Sequence, residues 1–200
     1  MNKIDFYINK FAYVSDIDNL DVSFIPAILR RRLSSLNKTS FYVFEKCFSE
    51  EIKNIVYTSR YGEFDKLKKL IEAFSIDKCV SPTTFSSSVH NGTVGAYLHN
   101  NKFNIPYVAL ASTENTLSMG LLHSVINGYD TNLFCYSDYI NEKPFSVALT
   151  VSKEPIGQHF VISLEKSKTP IELEEKELLI SLLNKETASI QFNNYRIEAI

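Results

Sequence analysis

The side chains of this sequence that could act as nucleophiles, bases or metal ligands are few and scattered. Its three cysteines are Cys47, Cys79 and Cys135, and no two of them form a CxxC pair. A catalytic thiol needs a helix N-terminus or a neighbouring imidazolium to hold it as thiolate. Cys47 falls on an aromatic-rich helical face, Cys79 before a loop and Cys135 inside a strand, so all three read as small buried side chains. An odd count without a spacing pattern fits reduced thiols in an intracellular chain rather than a disulfide framework. His90, His99, His123 and His159 lack HExxH or any other ligand spacing, so no metal site is expected. Ser86 and His90 stand four apart, and on a helix they would be neighbours, as a nucleophile and its base must be. No acid is placed to orient that histidine. The same stretch also reads as packing surface, since Ser88, Gly92 and Ala96 recur every four residues, with Gly95 beside them. Arg30, Arg31 and Arg32 form the only basic cluster, either a solvated helix face or a spot for an acidic partner or phosphate.

Composition narrows the classes further. The chain has 200 residues, 44% of them hydrophobic and 22% charged, enough for one domain or slightly more with its own core. A net charge of −2 argues against general nucleic-acid binding, which needs a basic surface. Six glycines in the whole chain is under half the usual ~7%. There is no GxGxxG, GxxxxGK[ST] or GxSxG, so phosphate cradles and the hydrolase elbow are disfavoured. The N-terminus alternates apolar and polar residues, with Asp5 and Lys10 inside it, so it does not read as a signal peptide. No stretch approaches the ~18 apolar residues of a membrane span. A cytoplasmic location is expected, without integral membrane association.

These residues need a scaffold, and the apolar periodicity supplies one. Strands are expected over 4–14, 54–59, 104–111, 131–137, 145–151 and 159–164. Helices are expected over 26–38, opened by Pro26, and over 41–48, where Phe41, Phe44 and Phe48 share a face. Residues 64–74 predict an amphipathic helix with Phe64, Leu67, Leu70, Ile71 and Phe74 on one face, and Pro82 opens another running to about 100. The helix predicted over 113–127 is apolar on most faces, as a buried helix is, and Asn127-Gly128 ends it. Pro170 precedes a last helix over 171–185, with acids early and Lys185 late to suit the macrodipole. Residues 187–200 show no decisive pattern. Strands alternating with helices predict an α/β layered fold. The expected division is a domain over 1–165, with a helix and tail over 166–200 packing on it.

Three segments carry a family resemblance by their order and spacing: PAILRRRLS at 26–34, SPTTFSSSVHNGTVGAYLHN at 81–100 and VALASTENTLSMGLLHSVINGYD at 108–130. Over about residues 1–165 the chain resembles the β-ketoacyl synthase-like family, and within it the short chain-length-factor subunits of aryl polyene biosynthesis. The resemblance implies the N-terminal half of a thiolase-like layered fold, a mixed sheet with helices, lacking the second half. It maps a strand, a turn with a buried helix, and a second strand onto 105–111, 112–127 and 131–137. In active synthases that turn carries the nucleophilic cysteine at the helix N-terminus, where the dipole and backbone N–H groups lower its pKa and stabilise an oxyanion. Here the position falls on Ala111 or Ser112, and neither is a cysteine. The histidines that support decarboxylation belong to the second half of the fold, and neither His90 nor His123 lies in a matching motif.

The resemblance therefore implies a catalytically silent subunit that heterodimerises with a full-length β-ketoacyl synthase. The strand Ile105, Pro106, Tyr107, Val108, Ala109 and Leu110 would pair antiparallel with its counterpart in that partner. Val94, Leu98, Leu117 and Met119 are the candidates for lining the acyl or polyene tunnel and limiting its length. The substrate would ride on the phosphopantetheine of an acyl carrier protein, a transient partner for which Arg30, Arg31 and Arg32 are candidate docking residues. No cofactor of its own is expected. A half-fold would leave the 113–127 helix exposed, at about 25 cal/mol per Å² of apolar surface, unless something covers it. Ile171, Leu178, Leu179 and Leu182 share a face of the last helix and are expected to do so in part. Two other functions stay open: a small serine acyltransferase or hydrolase using Ser112 or Ser86, and a homodimeric scaffold module.

Overall fold

The computed structural model describes residues 3–168, 171 and 173–200. Pro170, expected just before the last helix, lies outside the described residues. The chain builds one mixed sheet of eight strands: β1 (Lys3–Val14), β2 (Asn54–Thr58), β3 (Tyr107–Leu110), β4 (Thr131–Ile140), β5 (Lys143–Ser152), β6 (Gln158–Ser163), β7 (Ser189–Gln191) and β8 (Arg196–Ala199). Their spatial order is β3-β2-β4-β5-β1-β6-β8-β7. β3, β2 and β4 run parallel, and every other neighbouring pair is antiparallel. The residues from 187 on, undecided by pattern, supply β7 and β8, and β8 pairs with β6.

Alternation along the strands divides the core. Val56, Phe134, Val147, Leu149, Phe6 and Phe160 face one side, and Ile55, Tyr57, Leu133, Cys135 and Ala148 face the other. The second side is covered by α2 (Ser35–Cys47) and α5 (Gly92–Asn101), through Phe41, Phe44, Val94 and Tyr97. The first side is covered by α6 (Thr116–Ile126) and α7 (Glu175–Leu183), where Leu117, Leu121 and Val125 pack with Leu179, Leu182 and Leu183. The last helix thus lies against the apolar helix, and Leu178 is packed at the edge of that cluster. α1 (Ala27–Arg30), α3 (Phe64–Asp77) and α4 (Pro82–Ser88) complete the helices.

Two glycines are set by close approach. Gly157, at φ +97°, sits so near the bulge in β1 that a Cβ would stand 2.4 Å from the Ile8 carbonyl oxygen. Gly120 of α6 lies over β2, where a Cβ would fall 2.1 Å from Thr58 Cγ2.

Several expected elements differ from those observed. The helix expected over 26–38 is split: α1 ends at Arg30, and Ser34, whose hydroxyl accepts the Asn37 N–H, starts α2, which takes in 35–38. α2 then runs through the helix expected at 41–48. Arg31 and Arg32 consequently lie in the link between two helices, not on a helix face. The helix expected over 82–100 breaks at 89–91 into α4 and α5. Ser86, Ser87 and Ser88 each donate to the carbonyl three residues back, a local bonding that competes with the helix ladder. Beyond the break, Gly92 packs against the Ser86 carbonyl. The strand expected at 104–111 narrows to β3, the apolar helix opens with a 3-10 turn at Thr113–Asn115, and α7 starts at Glu175. α3 forms as expected, but only Leu70 of its apolar face is buried.

Candidate functional site

Strands β2, β3 and β4 are parallel, so their C-terminal ends open at one rim of the sheet, the usual place for a site in such layers. A cavity of about 460 Å³ lies there, lined among others by Arg60, Thr113, Glu114, Leu117, Tyr136, Asp138, Glu175 and Asn193. Four stretches meet in it: the loop after β2, the turn from β3 into α6, the end of β4 with its turn into β5, and the tail around α7.

The β3–α6 turn is sharp. Ser112 donates its N–H to Thr116 Oγ1 at 2.8 Å, and that hydroxyl donates to the Thr113 carbonyl at 2.8 Å. Between them Thr113 takes φ +47°, a left-handed conformation costly for a β-branched residue. A strained strand-to-helix turn is how a fold presents a nucleophile. Here the strained residue facing the cavity is Thr113, while Ala111 and Ser112 do not line it.

Carboxylates fix the rest of the rim. Asp138, at the end of β4, accepts N–H bonds from Arg60 at 2.6 Å and Tyr61 at 3.4 Å through Oδ2, and from Tyr139 at 3.1 Å through Oδ1. Burial nonetheless raises its pKa above the ordinary value. Glu175, opening α7, accepts the Ser118 N–H at 3.0 Å and the Ser118 hydroxyl, so it takes up a free N–H in the first turn of α6. Its pKa is also raised by burial, against those same hydrogen bonds. Tyr195 donates to the Ser118 carbonyl at 2.6 Å, and Asn193 to Asn115 Oδ1 at 2.7 Å. Arg60 pairs with Glu114 at 2.9 Å. Among the described lining residues there is neither a cysteine nor a histidine. The carboxylates Glu114, Asp138, Glu174 and Glu175 of the rim are each engaged in an ion pair or hydrogen bonds.

The other candidates are dispersed. Ser86 donates to the Thr83 carbonyl, while His90, across the helix break, has Nε2 3.2 Å from the Leu110 carbonyl oxygen. They are not consecutive turns of one helix, which corrects their expected pairing. Cys47 and Cys135 are fully buried; burial pushes the Cys47 thiol up to about 12 and raises Cys135 as well. Cys79 is exposed. No group of three or more His, Cys, Asp and Glu suited to a metal occurs among the described residues. Among them, too, no helix is long and apolar enough to cross a membrane.

Val94 and Leu98 belong to the core beneath α5, and Leu117 to the core on the opposite side of the sheet. The four tunnel candidates thus do not share one wall. Leu117 alone lines the cavity, and Met119 is half-buried beside Asn194. Arg31 and Arg32 are exposed, and Arg30 donates to the Val22 carbonyl at 3.4 Å.

β3 is the outermost strand at its end of the sheet. Pro106 and Leu110 turn their carbonyls to β2, accepting from Ile55 and Ser59. By alternation Tyr107 and Ala109 point their N–H and C=O groups away from the sheet. Ile105 and Ala109 pack toward the α2–α5 core, Val108 and Leu110 toward the other. Sequence reasoning found this strand but missed Thr113, Asp138 and Glu175. The acids of 171–177 were legible as a helix start, not as a cap for a helix far away in sequence.

Residues 9–192 match the family model described as the N-terminal domain of β-ketoacyl synthase. No curated protein sequence matches the chain. Its fold is similar to a chain of the ketosynthase ApeO in complex with its chain length factor ApeC, from Xenorhabdus doucetiae, with TM-score 0.75 and 16% identity over 98% of this chain and 99% of that one. It is also similar to a chain of the ishigamide ketosynthase/chain length factor, with TM-score 0.55 and 9% identity over 68% and 48% of the two chains. A third likeness is to AntDE:AntF, a type II acyl-carrier protein in complex with its ketosynthase, with TM-score 0.60 and 10% identity over 84% and 71%.

Proposed function

We propose, since the chain belongs to the β-ketoacyl synthase family as a match to its N-terminal domain, that it is a non-catalytic chain-length-factor subunit. It heterodimerises with a full-length β-ketoacyl synthase and shapes the tunnel for a growing acyl or polyenyl chain. The observation that carries this reading is the end-to-end likeness to a chain from a ketosynthase–chain length factor complex, 98% of this chain on 99% of that one.

The rim chemistry supports it. Claisen condensation needs a thiolate to carry the acyl group and a donor set for the oxyanion. The β3–α6 turn offers Ala111, Ser112 and Thr113 instead of a cysteine, and Glu175 already takes the N–H of Ser118. β3 supports the partner. Its outward groups on Tyr107 and Ala109 are free to extend the sheet by an antiparallel strand, with main-chain bonds giving affinity and side chains the register. Arg31 and Arg32 are the exposed part of the basic cluster and remain the docking candidates for an acidic carrier. Leu117 is the remaining candidate for setting chain length.

A tagged pull-down from native cells, with intact masses read on the complex, tests the reading. The expected result is a one-to-one complex with a larger subunit that has a reactive, alkylatable cysteine. A soluble homodimer with no such subunit would overturn it, and acyl or phosphonate probes of the serines would then follow.

A further inference from the structure

Strand β1 is paired on both flanks over only part of its length. β5 pairs with it from Tyr7 to Val14, and β6, on the other flank, only from Lys3 to Ile8. From Asn9 to Val14 that second flank carries no strand. The ladders fix which groups point there. Lys153 donates its N–H to the Asp130 carbonyl, so the odd residues of β5 bond to β4, and Ser146, Ala148 and Thr150 bond to β1. Val14, Ala12 and Lys10 are their partners, so Phe11 and Tyr13 turn their N–H and C=O groups to the open flank. Among the described residues no backbone bond outside the ladders reaches them. At the bulge beside them, Asn9 Oδ1 is buried without a hydrogen-bond partner among the described residues. A buried acceptor left unpaired calls for a donor, and an open strand edge is a template for another strand. A groove runs along this edge, lined by Asn9, Lys10, Phe11 and Tyr13 of β1 and by Tyr42 and Lys46 of α2.

We propose that this flank of β1 binds an extended peptide by strand addition, and that the peptide alternates acidic and apolar side chains. Main-chain bonds to Phe11 and Tyr13 supply the affinity, and the two sides of the groove supply the chemistry. Ala12 packs toward the α2 core, so by alternation Lys10 shares the α2 side with Tyr42 and Lys46. Phe11 and Tyr13 point to the opposite side and are 41% and 40% exposed. Successive residues of an added strand meet these two sides in turn. The charged residues of the groove are Lys10 and Lys46, and no acid lines it among the described residues. One side therefore selects carboxylates and the other apolar groups. A second copy of this chain fits badly, because it brings the same lysines to the edge, and like charges across a strand pair repel. A lipid surface offers no row of donors and acceptors to Phe11 and Tyr13. β5, β4 and β2 separate this flank from β3, so the site is distinct from the edge assigned to the synthase and stands without that reading.

The test uses the full chain and a fluorescein-labelled heptapeptide of alternating Glu and Val, read by anisotropy, with a Lys and Val heptapeptide as control. Lys10→Glu with Lys46→Glu inverts the charge of the groove; both lysines are exposed, so the fold is kept. Tyr13→Pro removes an outward N–H and no ladder bond, as proline on an edge does. The expected result is that the Glu peptide binds and the Lys peptide does not. The double variant weakens binding at least about tenfold, and Tyr13→Pro abolishes it. The Phe11 and Tyr13 amides gain hydrogen-exchange protection on binding to the wild type, a readout that decides even if Tyr13→Pro fails to fold. No binding of the Glu peptide, equal binding of both peptides, or protection confined to other strands would overturn the proposal. Self-association that depends on Lys10 and is untouched by the peptide makes the occupant a second copy. Binding only to phosphatidylglycerol vesicles makes it a lipid surface. Either result overturns the proposal as well.

Discussion

Helices α3 and α6 look alike in the sequence and meet opposite fates. Both have apolar residues at helical spacing, and α6 is the more apolar of the two. In α6, Leu117, Leu121 and Val125 are buried between the sheet and α7. In α3, Leu70 alone is buried. The difference lies in what the rest of the chain brings to each. α6 has Gly120, which lets it close onto Thr58, and Glu175, Asn193 and Tyr195, which bind its first turn from the tail. α3 starts at Glu63 without a side-chain cap bond, ends on a left-handed Lys78 and packs chiefly on the short α4. An apolar stripe states that a face must be covered. It does not state which chain covers it.

The largest expected effect separates the two helices directly. Leu121→Ala, at a fully buried position, is expected to lower stability by about 2–5 kcal/mol. Ile71→Ala, on the open stripe, is expected to change it by less than about 0.5 kcal/mol. Urea denaturation of the isolated subunit measures both. Equal losses would mean that α3 is covered in the free chain, and the contrast would break.

The next effect tests how α6 reaches the sheet. A Cβ at Gly120 would stand 2.1 Å from Thr58 Cγ2 and 3.1 Å from the Phe134 ring. Gly120→Ala should therefore cost about 1–3 kcal/mol by overpacking, despite alanine's better helix propensity. Thr58→Ser removes that methyl while keeping the hydroxyl that donates to the Cys135 carbonyl. The double variant should recover a large part of the loss in the same denaturation assay. No recovery would place the strain elsewhere.

Much of the architecture was legible because it depends on local periodicity. β1 and β2, the hairpin strands and α6 all follow from short stretches of sequence. What failed depended on partners far along the chain or on competing local bonds. The 82–100 helix breaks because three serines bond back to their own turns. The β4–β5 hairpin turns at Asn141 and Glu142, both at positive φ, without the Asn-Gly that would announce it. The tail strands are short, and β8 is placed by pairing with β6 on one side and β7 on the other. The cavity rim joins Arg60, Thr113, Asp138 and Glu175 from four separate segments, and no spacing rule brings those together.

The smallest effect concerns the clamp that distinguishes α6 from α3. Glu175 has its pKa raised by burial, so the folded chain holds a proton there at pH values where the unfolded chain has released it. Stability linked to this group is then present in full below the ordinary glutamate value of about 4.3, and falls as pH rises through the raised value. Asp138 is shifted the same way and adds a parallel fall. Glu175→Gln keeps an oxygen for the Ser118 N–H and removes the titration. Its stability should fall less steeply with pH between the ordinary and the raised value, and at pH 7.5 it should match or slightly exceed the wild type. Glu175→Ala leaves the Ser118 N–H without that acceptor and should lose about 1–3 kcal/mol across the range. Melting curves of the three proteins from pH 4 to 8 measure this. A wild type that gains stability over Gln as pH rises would mean that the bonds from Ser118 outweigh burial, and that the clamp works as a charged cap on the α6 dipole.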